Sequence, residues 1–233
     1  MSDWEDGDAW GHAPHEDPGP LPRLVLIADG FVTGRERQSA EHVRRAAARA
    51  VGAGVRAVML RDHDAGESEF DRSAARLRER LLDVRPDLML IVNTRVETAA
   101  RLGAALHVGA RGPGVREART ACERVGVSAH TLEEVTEAEE AGAAYATLSP
   151  IFVTPTHPTA TPLGPDALRA ACAAVPDFPV FALGGLSPRR ARACREAGAY
   201  GVAVLSGILD ANRIAAATTQ FLDAVHATIP RTP

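Results

Sequence analysis

A chain of 233 residues with 45% hydrophobic and 24% charged side chains can bury a sizeable core, as one barrel-sized domain or two small ones. Its formal charge of −4 gives no sign of a nucleic-acid or membrane partner, and no apolar run reaches the ~20 residues of a membrane span. The three cysteines, Cys122, Cys172 and Cys194, fall in stretches that read as helices, which favours reduced core thiols in a cytoplasmic protein over a disulfide framework or a metal site.

Residues 1–22 are acidic, rich in Gly and Pro and without periodicity. They read as a disordered tail, or as a handle that docks its two tryptophans, Trp4 and Trp10, on a neighbouring subunit. Order begins at Leu24-Val25-Leu26-Ile27-Ala28, an apolar run of the kind buried on both faces of a parallel sheet. The pattern then predicts a helix over 40–53, a strand over 55–60, a helix over 67–84, a strand over 88–92 and a helix over 96–102. A short strand over 105–108 precedes a helix over 115–124, and a strand over 125–128 precedes a helix over 132–141. Thr131 with Glu134 three residues later has capping-box spacing at the start of that helix. Strands over 145–148, 180–183 and 201–204 are each followed by a helix, over 165–174, 188–197 and 214–225. Ser187 before Pro188 marks the start of the helix over 188–197.

Strand and helix thus alternate eight times across residues 23–233, which favours a single-domain (β/α)8 barrel over an open doubly wound sheet. No dinucleotide fingerprint follows the first strand, where the chain reads Ala28-Asp29-Gly30-Phe31. The last two units break into Gly184-Gly185 and Leu205-Ser206 turns between strand and helix, and such turns offer backbone N–H groups to a phosphate. In a barrel of this kind the chemistry sits at the C-terminal strand ends. Those ends carry Asp29, Arg61-Asp62-His63, Asn93-Thr94-Arg95, His107, Ser128-Ala129-His130, Thr154-Pro155-Thr156-His157, Gly184-Gly185 and Leu205-Ser206. His107 reads as an inward, hydrogen-bonded core histidine. Arg61 either holds a substrate carboxylate or pairs with Asp29, and His63 and His157 are either proton carriers or solvated rim residues. The spacing of His63, His107, His130 and Asp29 is not that of a metal motif.

Seven of these pieces, in order from Leu60-Arg61-Asp62-His63 through Val92-Asn93-Thr94-Arg95, Leu106-His107-Val108-Gly109, Ser128-Ala129-His130-Thr131, Thr154-Pro155-Thr156-His157 and Gly184-Gly185 to Leu205-Ser206, resemble the thiamine phosphate synthase/TenI family. The resemblance covers about residues 24–210 and implies the same (β/α)8 barrel. It implies that Thr154, Thr156, Gly184, Gly185, Leu205 and Ser206 hold a thiazole phosphate, and that Arg61, Asn93 and Ser128 belong to a second half that binds a pyrimidine diphosphate. In that second half Met59 replaces a glutamine, His63 and His157 replace lysines, and Thr94 and Gly112 replace two magnesium-binding aspartates. Threonine and glycine lack the anionic oxygens that Mg²⁺ prefers, and histidine is mostly neutral near pH 7. The expectation is therefore the family's other activity, a thiazole tautomerase that needs no cofactor, with His130 moving the proton as general acid–base catalyst. The other reading of His130 is that it only fixes the Ser128-Ala129-His130-Thr131 turn by hydrogen bonding to backbone. The alternatives are a thiamine phosphate synthase that takes its Mg²⁺ ligands from elsewhere, for instance Asp29, Asp62 or Asp64, and a non-catalytic thiazole or thiamine phosphate binding protein. In every case the partner is a small phosphorylated thiazole, with no nucleic acid and no membrane, and a homo-oligomer is left open.

Overall fold

The computed structural model describes residues 20–35, 38–109, 112–154 and 159–227. Eight parallel strands close into a barrel in sequence order: β1 (Leu24–Asp29), β2 (Ala57–Arg61), β3 (Met89–Asn93), β4 (Ala105–Val108), β5 (Val125–Ala129), β6 (Tyr145–Leu148), β7 (Val180–Leu183) and β8 (Gly201–Val204), with β8 pairing back onto β1. The (β/α)8 expectation holds. The runs are Val, Ile, Leu and Ala because both faces are covered, one by the barrel interior and one by helices.

The helices are α1 (Ala40–Gly52), α2 (Glu67–Val84), α3 (Val96–Leu102), α4 (Val115–Ala118), α5 (Leu132–Glu140), α6 (Gly164–Ala174), α7 (Pro188–Glu196), α8 (Ser206–Leu209) and α9 (Ile214–His226). On α1 the buried residues are Val43, Ala46, Ala47, Ala50 and Val51, a spacing that puts one stripe against the sheet. Thr131 and Ser187 cap α5 and α7, each accepting a backbone N–H three residues on, from Glu134 and Arg190. Among the described residues no helix is long and apolar enough to cross a membrane.

Two strand glycines shape the barrel interior. Gly126 pairs with Tyr145, and a Cβ at Gly126 would lie 2.1 Å from that ring. Gly201 pairs with Phe181, and its Cβ would lie 2.7 Å from that ring. The space allows His107 to stack on Tyr145 at 5.6 Å and Tyr145 to meet Phe181 edge-on at 5.4 Å.

Three features differ from the sequence expectations. The helix expected over 115–124 stops at Ala118, since the Thr120 hydroxyl donates to the Glu117 carbonyl and the chain turns to enter β5. Cys122 consequently lies in the irregular segment before β5 rather than in a helix, although all three cysteines are free as expected. The one-turn helix α8, directly after β8, is additional. Of the tail expected over residues 1–22, residues 1–19 lie outside the described residues; Leu21 packs against the core and its carbonyl accepts from the Tyr200 hydroxyl.

Candidate functional site

The C-terminal strand ends enclose a cavity of about 150 Å³. One wall is the turn from β7 into α7. Gly184 and Gly185 sit at φ 102° and 62°, which L side chains rarely adopt, and a Cβ on Gly185 would meet the Val153 carbonyl oxygen at 2.3 Å. The loop after β6 presses against this turn, with the Phe152 N–H donating to the Gly184 carbonyl at 3.2 Å. From the first turn of α7, Arg190 donates to the Gly185 carbonyl at 2.6 Å and lies 4.7 Å over the Phe152 ring, so one side chain ties both loops together.

The adjoining wall is the start of α8. The N–H groups of Gly185, Ser206 and Gly207 donate to no other described residue. Unpaired N–H groups beside strained glycines are a cradle for an anion, because the peptide dipoles are already aimed and no side chain intervenes. Gly207 is glycine for lack of room: its Cβ would lie 2.8 Å from Phe221 and 3.0 Å from the Leu186 carbonyl oxygen.

Across the cavity stand Arg61 and Ser128. Arg61, at the end of β2, donates from Nε to Asp29 Oδ1 at 2.7 Å on the neighbouring strand. The pairing read as one alternative for Arg61 is formed, and its terminal nitrogens still make no hydrogen bond to a described residue. Ser128 Oγ lies 2.9 Å from His107 Nε2, and His107 Nδ1 lies 3.1 Å from the Tyr145 hydroxyl. His107 is thus the inward, hydrogen-bonded histidine expected. Burial first, and then the Arg61 charge, push its pKa down to about 4, so it is neutral at pH 7.

His130 closes the cavity at the mouth. Its Nδ1 lies 2.8 Å from the Ser149 carbonyl, an acceptor, so Nδ1 carries a hydrogen, and in the neutral tautomer that this selects Nε2 is the bare nitrogen. Its backbone N–H donates to the Glu134 carboxylate at 2.5 Å.

The cavity therefore brings together Arg61, Ser128, His130, Thr154, Gly184, Gly185, Leu205 and Ser206. Asn93 does not line it; it is buried at the end of β3, where its carbonyl accepts from the Thr94 hydroxyl. Thr156 and His157 lie outside the described residues. Sequence reasoning passed over Ser149, Gly207 and Arg190. Only Arg190 carries a signal, a cation in the first turn of a helix that follows a glycine pair.

The sequence profile described as thiamine monophosphate synthase matches residues 30–208. A putative thiamine-phosphate synthase 2 from Aquifex aeolicus is 34% identical over 193 residues, covering 82% of this chain and 99% of that protein. A thiamine-phosphate synthase from Chloroflexus aurantiacus is 35% identical over 203 residues, covering 85% and 90%. The solved thiamine phosphate pyrophosphorylase from Pyrococcus furiosus superposes with a TM-score of 0.75 at 26% identity, covering 87% of this chain and 95% of that one. Orotidine 5'-phosphate decarboxylase from Pyrococcus horikoshii, at 13% identity and a TM-score of 0.63, shares the fold alone, over 88% of this chain and all of that one (100%). The relatives' names support the transferase alternative, not the isomerase expected first.

Proposed function

The chain belongs to the thiamine monophosphate synthase family, and from that premise we propose that it is a transferase joining a hydroxymethylpyrimidine diphosphate to a thiazole phosphate. The observation that carries this reading is one cavity with two unlike walls: the N–H groups of Gly185, Ser206 and Gly207, which donate to no described residue, on one side, and Arg61 and Ser128 on the other. A single phosphate fits the first wall, and the leaving diphosphate of a second substrate faces the second. In the reaction the thiazole nitrogen forms a C–N bond to the pyrimidine methylene carbon. The C–O bond to the diphosphate breaks and its electron pair leaves with that group. Arg61 is the one arginine among the described residues lining the cavity. Asp29 engages its Nε, which leaves the terminal nitrogens as the groups that meet the growing negative charge.

The Mg²⁺ that the resemblance implies for a synthase does not fit the described residues, among which no three His, Cys, Asp or Glu side chains, Asp64 included, group so as to hold an ion. Thr94 has its hydroxyl turned to the Asn93 carbonyl, and Gly112 has no side chain. Asp29 is paired with Arg61, while Asp62 accepts from the Val32 and Thr33 N–H groups at 2.9 Å and from the Thr33 hydroxyl at 2.9 Å. The lost positive charge is real: all 26 basic residues of the chain are arginine, yet His63 and His157 occupy the two lysine positions.

That observation favours a second reading, proton transfer on a thiazole phosphate by His130, whose Nδ1–H is tied to Ser149 and whose Nε2 is available as a base. One assay separates the two. Thiazole phosphate, pyrimidine diphosphate and Mg²⁺ are supplied together, and thiamine phosphate and released diphosphate are followed. The transferase reading expects the two products in equal amounts and a rate about 10²-fold lower in Arg61→Gln. No product, with tautomerisation abolished by His130→Ala, would overturn it in favour of the isomerase.

A further inference from the structure

The barrel interior contains a polar chain that neither reading uses in full. His107 is 3% exposed and Tyr145 1% exposed, and the Tyr145 hydroxyl has no hydrogen-bond partner among the described residues other than His107 Nδ1. Ser128 follows on β5 and lines the cavity. Gly126 leaves the room that lets the Tyr145 ring lie across β5 and bring its hydroxyl to the histidine.

Proton positions follow from counting donors. Burial raises the Tyr145 pKa, so the phenol keeps its hydrogen, and His107 is neutral, with one N–H and one bare nitrogen. If Nδ1 carried that hydrogen, the Tyr145 O–H would be a buried donor with no acceptor, an arrangement native interiors avoid. Tyr145 O–H therefore donates to Nδ1, and Nε2–H donates to Ser128 Oγ. The Ser128 oxygen is then occupied as an acceptor from His107, and its own hydrogen points elsewhere. We infer that Tyr145 and His107 are positioning residues that fix the Ser128 hydroxyl as a hydrogen-bond donor to a phosphate or diphosphate oxygen in the cavity. This rests on the reading of the cavity as a phosphorylated-substrate site; the proton arrangement inside the barrel does not.

The test has two arms. Long-range ¹H–¹⁵N correlation of the full chain near neutral pH, with His107 assigned by its loss in His107→Gln, is expected to show hydrogen on Nε2 and a bare Nδ1. Hydrogen on Nδ1, or on both nitrogens, would overturn the proposal without touching the function of the cavity. In the second arm inorganic diphosphate is titrated into the wild type, Tyr145→Phe, Ser128→Ala and the double variant. Each single change is expected to weaken binding about tenfold, one hydrogen bond's worth, and the double variant no further, since both remove the same donor. Unchanged binding in Tyr145→Phe, or losses that multiply to about 100-fold, would overturn it. Diphosphate failing to bind the wild type while the Nε2–H form is observed would count against the reading of the cavity instead.

Discussion

Gly185 combines a φ of 62° with a Val153 carbonyl oxygen 2.3 Å from where a Cβ would stand, so glycine is the only residue that fits both constraints. Gly185→Ala is expected to lower stability by about 2 kcal/mol, seen as a lower urea midpoint at unchanged slope. His107 gives a pH signature. Its folded pKa of about 4 lies below its ordinary 6.5, so below about pH 6.5 the unfolded chain takes up a proton that the folded chain refuses. The stability it contributes is therefore complete above pH 6.5 and is lost as pH falls toward about 4, by about 3 kcal/mol in all. Urea midpoints across that window are expected to fall more steeply in the wild type than in His107→Gln. The glycine pair was legible in the sequence because a backbone demand is written in the residue type. Asp62 was not: a rim carboxylate folded back onto Val32 and Thr33 looks, in sequence, like one facing a ligand.

At the scale of elements, the junction of β3 and α3 carries a cost. Thr94 sits at φ 63°, and a β-branched side chain in the left-handed region is strained. Thr94→Gly is expected to raise stability by about 1 kcal/mol in thermal or urea unfolding, since glycine adopts that backbone freely. Periodicity gave the long elements well, α2 being read over the same residues it occupies, because eighteen residues contain several turns of one buried stripe. The four residues of α8 contain too little pattern to read, although they form a wall of the cavity. Conversely α4 read too long, as alanine and arginine through Arg119 suit a helix that Thr120 and the entry into β5 then end.

Over the whole molecule, the barrel was legible because the same strand–helix alternation repeats eight times and each repeat supports the reading of the next. The site was legible where its strand-end residues face one cavity, and incompletely so where contacts come from afar. The helix α9 lies beyond the matched family span of residues 30–208, yet its Phe221 sits against Gly207 and so supports from behind the wall proposed to hold a phosphate. Arg95 does similar work across the barrel mouth, donating to the Asp62 and Ala65 carbonyls and pairing with Glu67, which holds the loop between β2 and α2 next to Arg61. Both readings of the function share one requirement, an anion held by backbone N–H groups at the ends of β7 and β8.

The most direct measurement of that requirement is a calorimetric titration of thiazole phosphate into the wild type and Gly185→Ala, with folding of both checked by circular dichroism. The expected result is one molecule bound per chain in the wild type and at least about tenfold weaker binding in the folded variant, since the added methyl group displaces the turn that presents the N–H donors. Equal affinity in the two folded proteins, or no binding to the wild type, would contradict it.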